Sequence, residues 1–310
     1  MTPEPQETRE FTRHKAALPL SESPPVSISC SMDITRLLPA RFSRLARRGP
    51  RVPVIRLDGV IGASARPGAT GLSDASLAPL IERAFKKNPT AVALVINSPG
   101  GSPVQSSLIA ARIRRLAEET GTPVHAFVED VAASGGYWLA CAADDIWADP
   151  TSIVGSIGVI SSGFGLHEFI AKHGIERRVH TAGASKSFMD PFKPEKPEDL
   201  ERLTKLLEPM HASFKAHVVQ RRGVRLHADH DIFTGDIWTG ANATEIGLID
   251  GTAHLVPKLR ALYGDKVRLE PYARKRPFLS RFGLNLSGAD FAGAVMDATE
   301  ERAIWARFGL

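Results

Sequence analysis

In the run Val131-Ala-Ala-Ser-Gly-Gly-Tyr137, Ser134 is the residue of this chain most open to act as a nucleophile. Ala132 and Ala133 before it, and Gly135 and Gly136 after it, leave the hydroxyl unshielded and let a substrate backbone approach. The Gly135 N–H, at an expected helix start, points where an oxyanion would form. A second glycine turn, Asn97-Ser-Pro-Gly-Gly101, follows the apolar run Ala91-Val-Ala-Leu-Val-Ile96. An N–H of Gly100 or Gly101 could stand opposite Gly135, and one such donor typically contributes ~3 kcal/mol to transition-state stabilisation. A serine also needs a base. No histidine lies in the Ser134 segment or between Gly155 and Gly163. His125, His167 and His173 read as surface or packing residues. Lys186 is the better candidate, because Thr181, Ala182, Gly183, Ala184 and Ser185 around it are small and could let its amine be desolvated. Desolvation disfavours the cation and makes an amine a usable base. Ser156, in Ile153-Val-Gly-Ser-Ile-Gly-Val159, is a hydroxyl that could orient that amine.

Each residue alone has a plainer reading. A serine before two glycines is most often a helix cap, Pro-Gly-Gly can simply close a loop, a loop lysine is ordinarily solvated, and Ser156 could be a strand serine. Their combination supplies the parts of acyl transfer through a tetrahedral intermediate.

These parts need elements to position them. Val52 to Leu57 reads as a strand, Ser73 to Lys87 as a helix capped by Ser73, Ala91 to Asn97 as a buried strand and Val104 to Glu119 as a helix. Pro123 to Val128 is an expected strand, Ser134 to Ala143 a short apolar helix, and Asp145 to Ala148 and Ile157 to Ser161 further strands. Repeated strand–helix units predict an α/β fold with a mainly parallel sheet, whose sites lie beyond the carboxyl ends of the strands. Leu200, Leu203, Leu207, Met210, Phe214 and Val218 mark one stripe of a long helix from Pro197 to Gly223. Trp238 to Ile249 and Gly251 to Tyr263 suggest helices, and Lys266 to Leu269 a strand.

The 310 residues carry a formal net charge of +5. Between Asp33 and Val52, six arginines (Arg36, Arg41, Arg44, Arg47, Arg48, Arg51) face one acid, so this stretch accounts for the whole excess. A neutral body with one basic arm argues against a nucleic-acid-binding core. Residues 1–51 are expected to be a disordered basic arm, 52–273 a catalytic domain, and 274–310 a linker and amphipathic helix carrying Phe291, Val295, Ile304 and Trp305. Ile34, Leu38, Phe42 and Leu45 share one helical face of the arm, which permits peripheral contact with an anionic membrane. Two cysteines, Cys30 and Cys141, suit a reducing compartment. Glu4, Glu7, Glu10 and several prolines replace the apolar centre of a signal peptide, and no window approaches the ~18 apolar residues of a membrane span. The expectation is a cytoplasmic protein, at most peripheral at the inner face of the membrane, without metal or cofactor.

The four motifs around Ser134, Gly101, Ser156 and Lys186, the last followed by Asp190-Pro191, resemble in order and spacing those of the signal peptide peptidase A and SohB proteases, family S49. The resemblance runs from about Val52 to Val267. It implies a ClpP/crotonase-type fold and a serine endopeptidase with a Ser-Lys dyad, acting on peptides or remnant signal peptides and assembling into homo-oligomers. By motif, Ser134 is the nucleophile, Lys186 the general base, Ser156 the residue orienting the lysine, and Gly101 and Gly135 the oxyanion donors. Gly100 and the strand Val159, Ile160, Ser161 are expected to bind substrate, the latter by strand addition. Two other readings stand beside this one: acyl-CoA chemistry on the same type of fold, and a non-catalytic scaffold at a membrane surface.

Overall fold

A computed structural model describes residues 49–62, 71–183, 185–227, 229–272 and 302–310. The expected basic arm up to residue 48, Cys30, the linker after Arg274 and most of the expected C-terminal helix lie outside the described residues. Of that last helix, residues 302–306 are helical and Ile304, Trp305 and Phe308 are half-buried.

The chain alternates strands and helices: β1 (Arg51–Asp58), α1 (Asp74–Phe85), β2 (Val92–Ser98), α2 (Pro103–Thr120), β3 (Val124–Ala133), α3 (Gly135–Ala140), β4 (Asp145–Ala148) and β5 (Ile153–Gly155). Then come α4 (His167–Lys172), α5 (Pro197–Arg222), β6 (Ile237–Thr239), α6 (Gly240–Glu245), β7 (Gly251–Thr252), α7 (Leu255–Tyr263) and β8 (Arg268–Tyr272). The local signals for α1 and α2 are explicit. Ser73 caps α1 in a reciprocal capping box with Ser76. Ser102 caps α2, Pro103 fills its first turn, and Gly121 ends it in the left-handed region with φ 61°. Both helices turn their apolar stripes inward, burying Leu77, Ile81, Ile109 and Ile113.

The eight strands form one sheet in the order β6-β5-β3-β2-β1-β8, with β4 pairing β3 and β7 off that path. Every pairing is parallel except β5 with β6, which confirms the α/β architecture and its mainly parallel sheet. β3 is the axis of the fold. On the side away from β2, its first half (His125 to Val128) pairs with β4, and its end (Val131 to Ala133) pairs with β5. Between the two halves Asn97 bridges the irregularity in the β2–β3 ladder: its Nδ2 donates to Asp130 and its Oδ1 accepts from the Val131 N–H.

Three expected elements differ. The strand expected at Ile157 to Ser161 instead runs from Ile153 to Gly155. It stops where Ser156 takes a positive φ of 51° and Gly158 N–H turns back onto the Ser156 carbonyl. The helix expected from Trp238 opens as β6, because antiparallel pairing with β5 claims residues 237–239 before Thr239 caps α6. Gly251 and Thr252 extend β4's ladder, so α7 starts only at Leu255. In the last two cases a long-range ladder outcompetes a local helical pattern, and in the first it sets where the strand lies. β3 also runs five residues beyond the expected Val128.

Helix α5 is docked by its C-terminal half. Phe214 and Val218 are buried, while Leu200, Leu206 and Met210 toward its start are exposed. Trp138 of α3 stacks on Phe214 and His217 at 4.8 and 5.0 Å between ring centroids, and His217 Nε2 donates to the Trp138 carbonyl at 3.1 Å. Arg221 holds the Cys141 and Ala143 carbonyls, and Arg222 bonds Asp250 at 2.6 Å. Burial, only partly offset by the Trp138 carbonyl, holds the His217 imidazole down from 6.5 to about 4. The unfolded ring takes up a proton where the folded one does not, so this contribution is complete above the ordinary pKa and declines as pH falls toward 4. Urea unfolding should lose on the order of 2 kcal/mol across that window in the wild type, after discounting for partial exposure. The same measurement on His217→Gln should lack that component.

Candidate active site

Three neighbouring strands end at one place. β2 runs into the Pro99-Gly100-Gly101 turn, β3 into Ser134, and β5 into Ser156. Ala133 pairs with Gly155, and the Ser134 N–H donates to the Gly155 carbonyl at 2.8 Å. Ser134 and Ser156 are thus the first residues beyond a paired position on adjacent strands, whose spacing is ~4.8 Å.

Ser134 has φ 51° and ψ −120°, a conformation costly for a residue with a Cβ, and its side chain makes no helix-capping bond although it stands at the start of α3. That removes the capping reading: the hydroxyl is presented rather than spent on the helix. A serine on a strained turn between a strand and a helix is exposed in the manner of a nucleophile elbow. The Gly135 amide follows directly at the helix start. Ser156 also has φ 51°, fixed by its N–H to the Asp236 carbonyl at 2.7 Å, and its hydroxyl has no hydrogen-bond partner among the described residues.

The glycine turn lies against this corner. A Cβ built on Gly100 would stand 2.8 Å from Ser134 Cβ and 2.9 Å from the Gly135 nitrogen, and Gly100 has φ +104°. The turn is held by Ser98, whose Oγ donates to the Gly59 carbonyl at 2.7 Å and accepts from the Gly100 N–H at 3.3 Å. On its outer side the Gly100 carbonyl accepts from Ile61 N–H at 2.8 Å, and Ser102 N–H donates back to the Ile61 carbonyl at 2.7 Å. With the Gly100 amide engaged, the N–H groups of Gly101 and Gly135 are the ones without an acceptor among the described residues. Sequence reasoning missed Asn97 and Ser98 as supports. Their signal was two polar residues closing an otherwise apolar strand.

Lys186 stands apart from this convergence. It lies on the turn of residues 185–189, exposed, with its backbone N–H on the Gly183 carbonyl at 3.2 Å. Its ammonium has no hydrogen bond to Ser134, Ser156 or any other described residue. The desolvation expected from its small neighbours is not supplied within one chain. Val159, Ile160 and Ser161 follow the end of β5 as a loop, with Ile160 67% exposed. Ser161 and the turn of Lys186 border a cavity of about 930 Å³.

The remaining candidates are structural. His125 is buried on β3, its Nδ1 against Asp145 at 2.8 Å and its Nε2 against the Tyr263 hydroxyl at 2.6 Å. Burial pushes the Cys141 thiol up to about 12, leaving it a small hydrophobe. Gly100→Ala should lower kcat by about a hundredfold, the scale of losing an oxyanion donor, because the methyl displaces Ser134 and Gly135. Kinetics with a peptide substrate, alongside circular dichroism to confirm folding, checks this.

The Peptidase family S49 profile matches residues 117–266. A protein named as a protease from Synechocystis, slr0021, is 31% identical over 72% of this chain and 80% of its own length. Chloroplastic serine protease SPPA of Arabidopsis thaliana is 30% identical over 66% of this chain and 31% of that protein. The Na(+)/H(+) antiporter NhaA of Brucella melitensis is 48% identical over 89% of this chain, which spans 39% of that relative's length. No described helix is long and apolar enough to cross a membrane. With a mainly parallel α/β sheet, a profile match and a relative aligned over four fifths of its length, the chain belongs to peptidase family S49, which has a ClpP/crotonase-like fold.

Proposed function

We propose that this chain is a serine endopeptidase using Ser134 as nucleophile and Lys186 as general base. The observation that carries the reading is the Ser134 corner itself: an uncapped side chain at φ 51°, against which the Pro99-Gly100-Gly101 turn packs so closely that a Cβ on Gly100 would stand 2.8 Å from Ser134 Cβ and 2.9 Å from the Gly135 nitrogen. The neutral Lys186 amine takes the Ser134 proton as Oγ attacks a peptide carbonyl carbon. The Gly101 and Gly135 N–H groups hold the resulting oxyanion. Lys186 then protonates the leaving amine as the C–N bond breaks, giving an ester on Ser134. A water deprotonated by Lys186 attacks the ester, and the C–Oγ bond breaks with the proton returning to Ser134. Ser156 orients the lysine by accepting one of its hydrogens.

Since Lys186 is exposed and unpartnered, the dyad is completed between copies of the chain. The arm around it supports this: Ile160, Phe164, Phe169 and Ile175, and Leu206 on α5, are apolar and exposed, a pattern expected of a contact surface. The substrate is a peptide lying along the loop from Val159 to Ser161, under the proline-containing segment from Lys186 to Lys196. Peripheral attachment to an anionic membrane is the corresponding role for the basic arm.

Hydrolysis of a fluorogenic peptide library should be abolished in Ser134→Ala and in Lys186→Ala, and wild-type Ser134 should react with a fluorophosphonate. Refolding the two inactive variants together should restore about a quarter of wild-type activity, the share of random neighbour pairs combining an intact serine with an intact lysine. Absence of any restored activity would place both groups of the dyad in one chain. Flotation of the full chain on anionic liposomes should be reduced when residues 1–52 are removed.

A further inference from the structure

Asp190 is the most deeply buried carboxylate near Lys186, with a side chain only 4% exposed, yet it belongs to an otherwise exposed arm. Its Oδ1 accepts from the Arg177 guanidinium and from the Phe192 N–H at 3.1 Å. Its main-chain carbonyl accepts from the Lys193 N–H at 3.1 Å. Arg177 lies over the Phe192 ring at 4.6 Å, and the next carbonyl, Pro191, accepts from Leu166 N–H at 2.6 Å. These bonds tie the end of the Lys186 turn to the segments on both sides of α4. Just before Asp190, Met189 is held at φ 53°, a conformation that persists only where its surroundings impose it. Meanwhile Asp190 Oδ2 is buried with no hydrogen-bond partner. A buried carboxylate oxygen without a donor is costly, and stability alone would favour a neutral side chain here.

We propose that Asp190 is a positioning residue for the general base, clamped by Arg177 so that the turn of residues 185–189 presents Lys186 at a fixed distance and direction. This rests on the assignment of Lys186 as base. Displacing a catalytic group by about 1 Å can cost on the order of a hundredfold in rate, so loss of the clamp acts chiefly on kcat. The paired Arg177 and Asp190 are the parts of the arm that can deliver that constraint, because the turn has no buried apolar anchor of its own.

The test is steady-state kinetics on full-length Asp190→Asn, Arg177→Ala and Arg177→Lys, with Ser134→Ala and Lys186→Ala as inactive references and Glu176→Gln, from the adjacent exposed Glu176–Arg178 pair, as the control. Asp190→Asn and Arg177→Ala should lower kcat about tenfold or more, with KM within about twofold of wild type and Tm little changed. Fluorophosphonate labelling of Ser134 should slow in parallel, Arg177→Lys should recover most of the loss, and Glu176→Gln should match wild type. Arg177 is 38% exposed, so its alanine variant keeps the test independent of folding should Asp190→Asn melt. Wild-type kcat in both clamp variants, a loss confined to KM, or no recovery by Arg177→Lys would overturn the clamp while leaving the dyad standing. Full activity in Lys186→Ala would instead overturn the dyad beneath it.

Discussion

The hydrogen bond from the Ser134 N–H to the Gly155 carbonyl is the interaction on which the site depends. It prolongs the parallel ladder between β3 and β5 by one step, past the last paired residues. Strand spacing then forces Ser134 and Ser156 into neighbouring positions. The ladder is possible because β3 changes partners midway, from β4 to β5, and Asn97 secures that change from the β2 side. Gly155 must be glycine for the same reason: it has φ +107°, and a Cβ would meet the Trp238 ring at 2.6 Å.

The corner is strained and the surroundings hold it. Ser134 and Ser156 occupy the positive-φ region, which costs of order 1–3 kcal/mol for each. Against that stand α3, wholly buried, and its stack of Trp138 on Phe214 and His217. Helix α5 therefore has two roles along its length. Its C-terminal half supports the serine, and His211 additionally bonds the Ile157 carbonyl just after Ser156. Its N-terminal half projects with the Lys186 arm, where exposed apolar side chains replace core packing.

That division separates the two halves of the proposed dyad. Ser134, Ser156 and the Gly100-Gly101 turn stand at strand ends of one sheet, where register defines their positions. Lys186 is on a turn held, among the described residues, by hydrogen bonds, the Arg177–Asp190 pair and Arg177 over the Phe192 ring. Positioning by register is precise because slipping by one residue would invert every side chain of a buried strand. Positioning by a loop requires either a local clamp or a neighbouring surface.

Much of this was legible in the residues. Apolar runs, the Ser73 and Ser102 caps and the glycine turns located β1, β2, α1 and α2, and the order of four short motifs pointed to the S49 family. The boundaries that were misplaced, at Ile157, Trp238 and Gly251, all belong to short strands whose partners are remote in sequence. No local pattern encodes such a partner, and pairing decides where each strand begins and ends and, at Trp238 and Gly251, between helix and strand. What the sequence by itself determined is the family and the turns that hold Ser134 and the glycine pair, since these depend on residue type and local sterics. Only the tertiary structure decided that Ser134 leaves its helix uncapped, that the Gly100 amide is engaged by Ser98, and that Lys186 is exposed with no hydrogen bond to Ser134. These follow from a forked strand and from long-range hydrogen bonds, which exist only once distant segments are brought together.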